Sequence, residues 1–340
     1  MKRTFAQSAR AAQAFVLVES LQDRFVAVLE KLGRDTFQCV EWFRDEGQHG
    51  GGRRFGVENT DLLGRASVNV SQVHYDDDPG RRLGSASAIS AIVHPSHPLA
   101  PSVHIHISWT EQKNGSGYWR IMADLNPSIA NALDKERFAG ALRQAAPDLF
   151  AEAVEQGDRY FYIPALGRHR GSIHFYLESF SSGDFEKDHA LARRVGDAAI
   201  DTYVSILASA IQATPEPTET QKASQLAYHT LYFFQVLSLD RGTTTGLLVH
   251  NQNDVGILGS LPPRIDKNLL ASWRSRMVEP QDRLLDKLLA ALPNQGICTI
   301  GDEIKQKLAD AVRAHYKACP EALDLQASGN ATPPTLDNHR

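Results

Sequence analysis

The sequence predicts an α+β fold built on a largely antiparallel sheet, and three observations carry this expectation. At least six stretches between residues 67 and 261 have strand composition. Most of their connections are shorter than the dozen or more residues that a parallel crossover needs. Helix-patterned segments stand before, among and after the strands, as in α+β chains.

Taken in order, residues 12–32 place Phe15, Val18, Leu21, Phe25, Val28, Leu29 and Leu32 at amphipathic-helix spacing. The glycine-rich run GQHGGGRRFGVEN, around residues 47–60, breaks any period and is expected as a loop or tight turn leading into a strand. SVNVSQVHY (67–75), SAISAIVHP (87–95), SVHIHISWT (102–110) and GYWRIMADL (117–125) follow as strands, separated by the turn-forming DDDPGRRLGSA and KNGSG. Residues 134–157 have helical period, 159–180 return to strand composition, and 186–212 form a long helix. TPEPTET (214–220) reads as a linker, and the apolar TLYFFQVLSLDRGTTTGLLVH and DVGILGSLPP read as two more strands. Helices are expected at 266–292 and 302–317. No long linker or internal repeat divides the chain, so residues 1–322 are expected to form a single domain. Residues 323–340 have the composition of a disordered tail.

The 340 residues are 42% hydrophobic and 22% charged, as expected of a globular protein, and the formal net charge is −4. No global basic field exists to draw the chain onto nucleic acid or an anionic membrane, so an anionic ligand must be met by local arginines. The N-terminal apolar run is closed by Glu19 and Asp23 too early for a secretory segment or a membrane span, and no other stretch approaches spanning length. Three widely spaced cysteines, Cys39, Cys298 and Cys319, form neither a CxxC motif nor a disulfide framework. A reducing cytoplasm is the expected compartment.

The densest chemical signal is His94-Pro95-Ser96-His97-Pro98 followed by His104-Ile105-His106. Strand alternation puts His104 and His106 on one sheet face and Val103, Ile105 and Ile107 on the other. With His94 they form a candidate metal or proton-transfer site; the plainer alternative is a half-exposed polar face that carries histidines. The spacing matches neither HExxH nor a zinc finger. A second signal is Asp240-Arg241-Gly242-Thr243, a carboxylate and a guanidinium at a glycine turn, suited to a ligand bearing both N–H donors and carboxylates. The alternative is a surface turn. Gly50-Gly51-Gly52-Arg53-Arg54 offers backbone approach and positive charge, without a P-loop or dinucleotide fingerprint.

In order and separation, the blocks GGGRR, SVNVSQVHY, ISAIVHPSHPLAPSVHIH, YWRIMADLNP, RYFYI, RHRGSIHFYLESF, SLDRGTTTGL and ILGSLPP resemble those of the oxygen-dependent coproporphyrinogen III oxidases, from about residue 20 to about 292. The resemblance implies a large flat antiparallel sheet covered by helices on both faces, a substrate cleft above it, and a homodimer, with 233–265 the expected contact region. It implies oxidative decarboxylation of two propionates of coproporphyrinogen III to vinyl groups by molecular oxygen, with no organic cofactor; a divalent metal stays open. On this resemblance Ser90 contacts substrate, His94 and His104 are metal-binding candidates, and His104 also donates a proton. Asp240 and Arg241 hold the pyrrole N–H groups and assist decarboxylation. Arg53 is a further expected contact.

The chain departs from the family at several of these places. The family's Asn-x-Arg after the second histidine is His106 and Ser108 here, which removes a propionate anchor and leaves these two as the expected contacts. A Gly-Gly-Arg loop after DRGT is replaced by VHNQND, which brings Asn251 to the substrate loop. Two later family histidines fall near Ala139 and Ala165, with His106, His169 and His174 as the nearby candidates to replace them. The activity expected is therefore that of a divergent oxidase. The alternatives are an oxidase of a related tetrapyrrole and a non-catalytic tetrapyrrole carrier on the same fold.

Overall fold

The computed structural model describes residues 1–213, 216–250 and 252–339. The first two residues of the expected 214–220 linker lie outside the described residues. In chain order the elements are α1 (Ala9–Gly33), β1 (Gln38–Phe43), β2 (Gly50–Glu58), β3 (Leu63–His74), β4 (Leu83–Pro95), β5 (Ser102–Gln112), β6 (Gly117–Asn126), α2 (Ala132–Ala145), α3 (Phe150–Phe161), β7 (Tyr162–Ile163), β8 (Arg168–His169), β9 (Ile173–Phe180) and α4 (Phe185–Ala213). The C-terminal part adds α5 (Glu219–Ser238), α6 (Arg241–Val249), α7 (Asp254–Ile257), β10 (Arg264–Asp266), α8 (Lys267–Ser272), α9 (Gln281–Ala291), β11 (Ile297–Thr299) and α10 (Asp302–Ala318).

Seven strands form one sheet in the order β1-β2-β3-β4-β5-β6-β9, antiparallel at every junction. The fold is thus α+β, as the short connections require. Strand alternation divides the sheet's side chains between two layers. Val68, Val70, Ile89, Ala91, Val103, Ile105, Ile107 and Ile121 face α1, α2 and α4 in one continuous core. On α1 the stripe Leu17, Leu21, Phe25 and Leu29 is buried, and each such side chain stabilises by about 1.5–3 kcal/mol. Ser8 caps this helix by accepting from the Ala11 N–H, and Arg34 ends it in the left-handed region.

The second core, on the other face, gathers Ile92 of β4 with α5, α6, α9 and α10. Here the structure corrects the expected strands. TLYFFQVLSL is the last half of α5, and DRGTTTGLLV is α6 capped by Asp240. Residues 228–238 are buried on all sides, so no helical stripe is visible, and an apolar run without period reads equally as a strand. The deciding signal lies upstream, where Thr218 and Gln221 form a capping box that starts the helix. DVGILGSLPP likewise opens with the short α7 and a 3-10 turn.

Other corrections are local. The GQHGGGRRFGVEN segment itself supplies strand β2 rather than a loop leading into one, because its glycines meet tight strand packing: a Cβ on Gly52 would stand 2.3 Å from Trp42 Nε1. The helix expected over 134–157 is two helices, α2 and α3, and α3 reaches into the expected 159–180 strand. The helix expected over 266–292 is broken between α8 and α9, ahead of Pro280, whose missing N–H cannot continue a helix. Phe233, Phe234, Val236 and Leu237, within the expected dimer region, are buried in the chain's own core.

Residues 323–339, tail-like in composition, lie against the body of the protein. The Ala327 N–H donates to the Leu239 carbonyl at 2.9 Å, the Gly329 N–H to Glu178 Oε2 at 2.6 Å, and Arg81 to the His339 carbonyl. Backbone groups satisfied by distant partners hold a segment whose own composition supplies little cohesion. Among the described residues no helix is long and apolar enough to cross a membrane.

Candidate active site

Between the second sheet face and α5–α6 lies a cavity of about 270 Å³. Alternation along four neighbouring strands builds its floor: Asn69 and Ser71 of β3, Ser90 of β4, His104, His106 and Ser108 of β5, and Tyr118 and Arg120 of β6 all line it. Antiparallel register places Ser90 opposite His106 and Ser108 opposite Arg120. Asp240 and Tyr160 contribute from the helical side, and Thr335, Asn338 and His339 from the C-terminal segment.

His104 is tied to a buried ion pair. Its Nδ1 lies 3.0 Å from Asp124 Oδ1, and Asp124 Oδ2 accepts from Arg170 at 2.7 Å and from Asn126 Nδ2 at 2.6 Å. Asp124 and Arg170 are almost entirely shielded from solvent. Burial alone would raise the Asp124 carboxyl, but Arg170 and His104 overcome it and bring it down to about 2. An ionised carboxylate at Nδ1 fixes the proton of a neutral His104 on that nitrogen, leaving Nε2 as the basic atom of a cavity-lining side chain. Neighbouring His106 is held well below its usual range by burial and then by the Arg120 charge, with a further lowering whenever His104 is protonated; its Nε2 lies 3.2 Å from Ser108 Oγ.

Asp240 stands at the N-terminus of α6. Its Oδ2 accepts from the Thr243 N–H at 2.6 Å, and its Oδ1 from the Tyr160 hydroxyl at 2.8 Å. Burial and the adjacent Asp240 charge push the Tyr160 phenol well above its ordinary value, so it stays a donor. The carboxylate is thereby oriented, by a helix cap and a phenol, in the wall of the cavity that His104 lines.

Several expected site residues sit elsewhere. Arg241 does not line the cavity; it pairs with Glu178, which also accepts from Tyr176 and from the Gly329 N–H. Arg53 projects from the opposite sheet face onto α1, 2.8 Å from Asp23. His94 is fully buried with both ring nitrogens engaged, Nδ1 with Ser102 Oγ and Nε2 with the Ser260 carbonyl, each at 3.0 Å. Burial pushes its pKa well down. His174 is held by Asp158 and the Arg170 carbonyl, and His169 lies on the surface strand β8. Among the described residues no three His, Cys, Asp or Glu side chains come together to hold a metal ion. With His94 committed in this way, the expected His94–His104 pair does not fit a metal. Asn251 lies outside the described residues.

Sequence reasoning missed Asp124, Arg170, Tyr160 and Arg120. Asp124 and Arg120 carry a legible signal, since they share alternation parity on one strand and pair in register with His104 and Ser108. Arg170 and Tyr160 do not, because the loops and helix that deliver them have no such period.

The cavity thus sets an oriented histidine and Arg120 on an antiparallel sheet face opposite a capped carboxylate on the helical side, a lining whose chemistry suits a polar, anionic ligand. A family model described as coproporphyrinogen III oxidase matches residues 13–291, most of the chain. The chain belongs to the coproporphyrinogen III oxidase family. Membership supports an oxidoreductase role in porphyrin biosynthesis, as a coproporphyrinogen oxidase.

Proposed function

We propose that this protein is the oxygen-dependent enzyme that converts coproporphyrinogen III to protoporphyrinogen IX. In each half-reaction one propionate loses carbon dioxide and two hydrogens become available as a vinyl group forms. Molecular oxygen takes up the two electrons and two protons as hydrogen peroxide. No organic cofactor is required by this balance.

The observation that carries the reading is the shared cavity of His104 and Asp240. A porphyrinogen presents converging pyrrole N–H donors and peripheral carboxylates, and needs an acceptor at its centre with cations at its rim. Asp240, held by Tyr160 and the α6 cap, is the acceptor. His104, with its tautomer set by Asp124, takes or returns a proton at Nε2. Ser90, His106 and Ser108 contact the ligand from the sheet. Arg241 acts at one remove, fixing the start of α6 through Glu178. A homodimer working in the cytoplasm completes the proposal, supported by the family resemblance and by three cysteines that are free of disulfides.

The test is anaerobically prepared coproporphyrinogen III supplied with air, with products separated by chromatography. Vinyl-bearing product and one peroxide per carbon dioxide are expected. Binding without turnover would instead identify a tetrapyrrole carrier, and turnover without oxygen would remove the oxygen-dependent assignment.

A further inference from the structure

Two arginines line the cavity, and they differ in one respect. Arg170 is matched by Asp124. For Arg120, no carboxylate among the described residues lies within ion-pair distance, and its Nε is shielded from solvent without a hydrogen-bond partner. Its Nη2 reaches only the Thr335 hydroxyl, at 3.5 Å, the long limit of a hydrogen bond. A partly buried guanidinium shielded at Nε, with no carboxylate among the described residues in direct contact, is costly to hold, so its retention in a cavity wall points to an anion that is present for part of the working cycle.

The fold leaves Arg120 little freedom to turn away. Trp119 and Ile121 on either side of it are buried in the opposite core, so alternation directs residue 120 to the cavity. A Cβ on Gly242 would stand 3.4 Å from Asp240 Oδ2 and 4.0 Å from Arg120 Nη1, so the absence of a side chain there keeps the space between α6 and the fork open. Burial opposes the charge, but Tyr176, Tyr160, Tyr118 and Asp240 around it outweigh that effect and raise its pKa. Its register partner on β5 is Ser108, the position at which the family resemblance leads one to expect an arginine.

We propose that Arg120 is a carboxylate-binding residue of this cavity, taking one anionic arm of the tetrapyrrole as a bidentate partner when Thr335 is displaced. The cation absent from position 108 thus sits one strand over, about 5 Å away. This rests on the tetrapyrrole reading above and adds to it which residue meets a propionate.

The test is fluorescence titration of the full chain with coproporphyrin III and with its uncharged tetra-amide, for wild type, Arg120→Met, Arg120→Lys and the double variant Ser108→Arg/Arg120→Ser, each with a thermal melt. Wild type should prefer the acid. Arg120→Met should weaken acid binding by about 10- to 100-fold while leaving the amide nearly unchanged, since one charge-assisted contact is lost. Its melting temperature should hold or rise, because no ion pair is broken. Arg120→Lys should recover part of the affinity, a point charge being a poorer partner than a fork. The double variant should recover part as well. Equal loss of acid and amide, a lowered melting temperature with both ligands lost, or an Arg120→Met protein that binds the acid as wild type does would each overturn the proposal. Wild type that binds acid and amide alike would overturn it while leaving tetrapyrrole binding intact. Wild type that binds neither would overturn the functional reading, and this proposal with it.

Discussion

His104 Nδ1 and Asp124 Oδ1 lie 3.0 Å apart, and the other oxygen of the same carboxylate is held by Arg170. One buried carboxylate therefore both neutralises a buried cation and sets the proton of the histidine, coupling the stability of the sheet to the chemistry on its face.

Separate variants should resolve these two roles. His104→Ala is expected to lower kcat by about 10²- to 10⁴-fold, the usual contribution of a positioned acid or base, with little change in melting temperature. Asp124→Asn strands Arg170 in the interior and should cost about 3–5 kcal/mol in denaturant unfolding. Full activity in His104→Ala would return the histidine to a passive polar face.

Asp240 also has two functions, as a helix cap and as a proposed ligand acceptor. Asparagine caps nearly as well as aspartate, so Asp240→Asn should stay close to wild type in stability, whereas Asp240→Ala should lose about 1 kcal/mol. Both should lower kcat more than they raise KM, since the carboxylate charge is needed most as positive charge develops on the ring. Wild-type steady-state kinetics in Asp240→Asn would remove the residue from the reaction.

Stability should fall as the solution is acidified below neutrality, ahead of ordinary carboxylate titration. His229 is pushed from 6.5 to about 3, first by burial and then by Arg264 and Arg65, and His94 and His106 shift the same way. Between these limits the unfolded chain binds protons that the folded chain refuses. The stability is thus fully present above about pH 6.5 and lost as pH falls toward 3, by up to about 1.4 kcal/mol per pH unit for each such histidine. Asp124, depressed from 3.8 to about 2, adds its own loss as pH falls through that range, beginning inside the lower part of the histidine window. Urea midpoints between about pH 7.5 and pH 5 should decline, and His229→Phe should flatten the slope. Midpoints that stay level would show that these histidines protonate in the folded state.

The Arg241–Glu178 pair ties the start of α6 to β9 and, through the Gly329 N–H, to the C-terminal segment. Arg241→Met leaves a buried carboxylate uncompensated and should destabilise by about 3–5 kcal/mol. Hydrogen exchange at Gly329 should accelerate in the same variant. Unchanged exchange would separate the segment from the pair.

The C-terminal residues occupy room at the proposed ligand site. The cavity, about 270 Å³ with Thr335, Asn338 and His339 in its wall, is smaller than the roughly 300–1,000 Å³ of ordinary ligand sites. Ending the chain after residue 329 should speed association with coproporphyrin III in stopped-flow fluorescence. Equal rates in the shortened and full chains would show that the segment does not obstruct entry.

Much of this molecule is legible along the chain because antiparallel strands carry a period of two. The stretches 67–75, 87–95, 102–110 and 117–125 fall within β3 to β6 apart from one residue of overrun, and the same alternation separates Ile105 in the core from His104 and His106 on the cavity face. Where the period disappears, reading by residue type fails. The run LYFFQVLSL is buried on every side, so its helix is visible only in the Thr218–Gln221 box that begins it. DRGT reads as a turn until Asp240 is seen capping the helix that follows.

By itself the sequence determined the central strands β3 to β6, the outer helices α1 and α4 and the family blocks, because propensity, alternation and turn chemistry act between neighbours along the chain. Tertiary structure alone decided which of the named groups meet. It sent Arg53 to α1, locked His94 between Ser102 and Ser260, and turned Arg241 toward Glu178. It also brought Asp124, Arg170, Tyr160 and Arg120 to a site that local pattern had not assigned them. The physical reason is that a charge or a hydrogen bond is satisfied by whatever the packed layers place within about 3 Å, and sequence separations of 46 for Arg170 to Asp124 and 80 for Tyr160 to Asp240 leave no local trace of that partner.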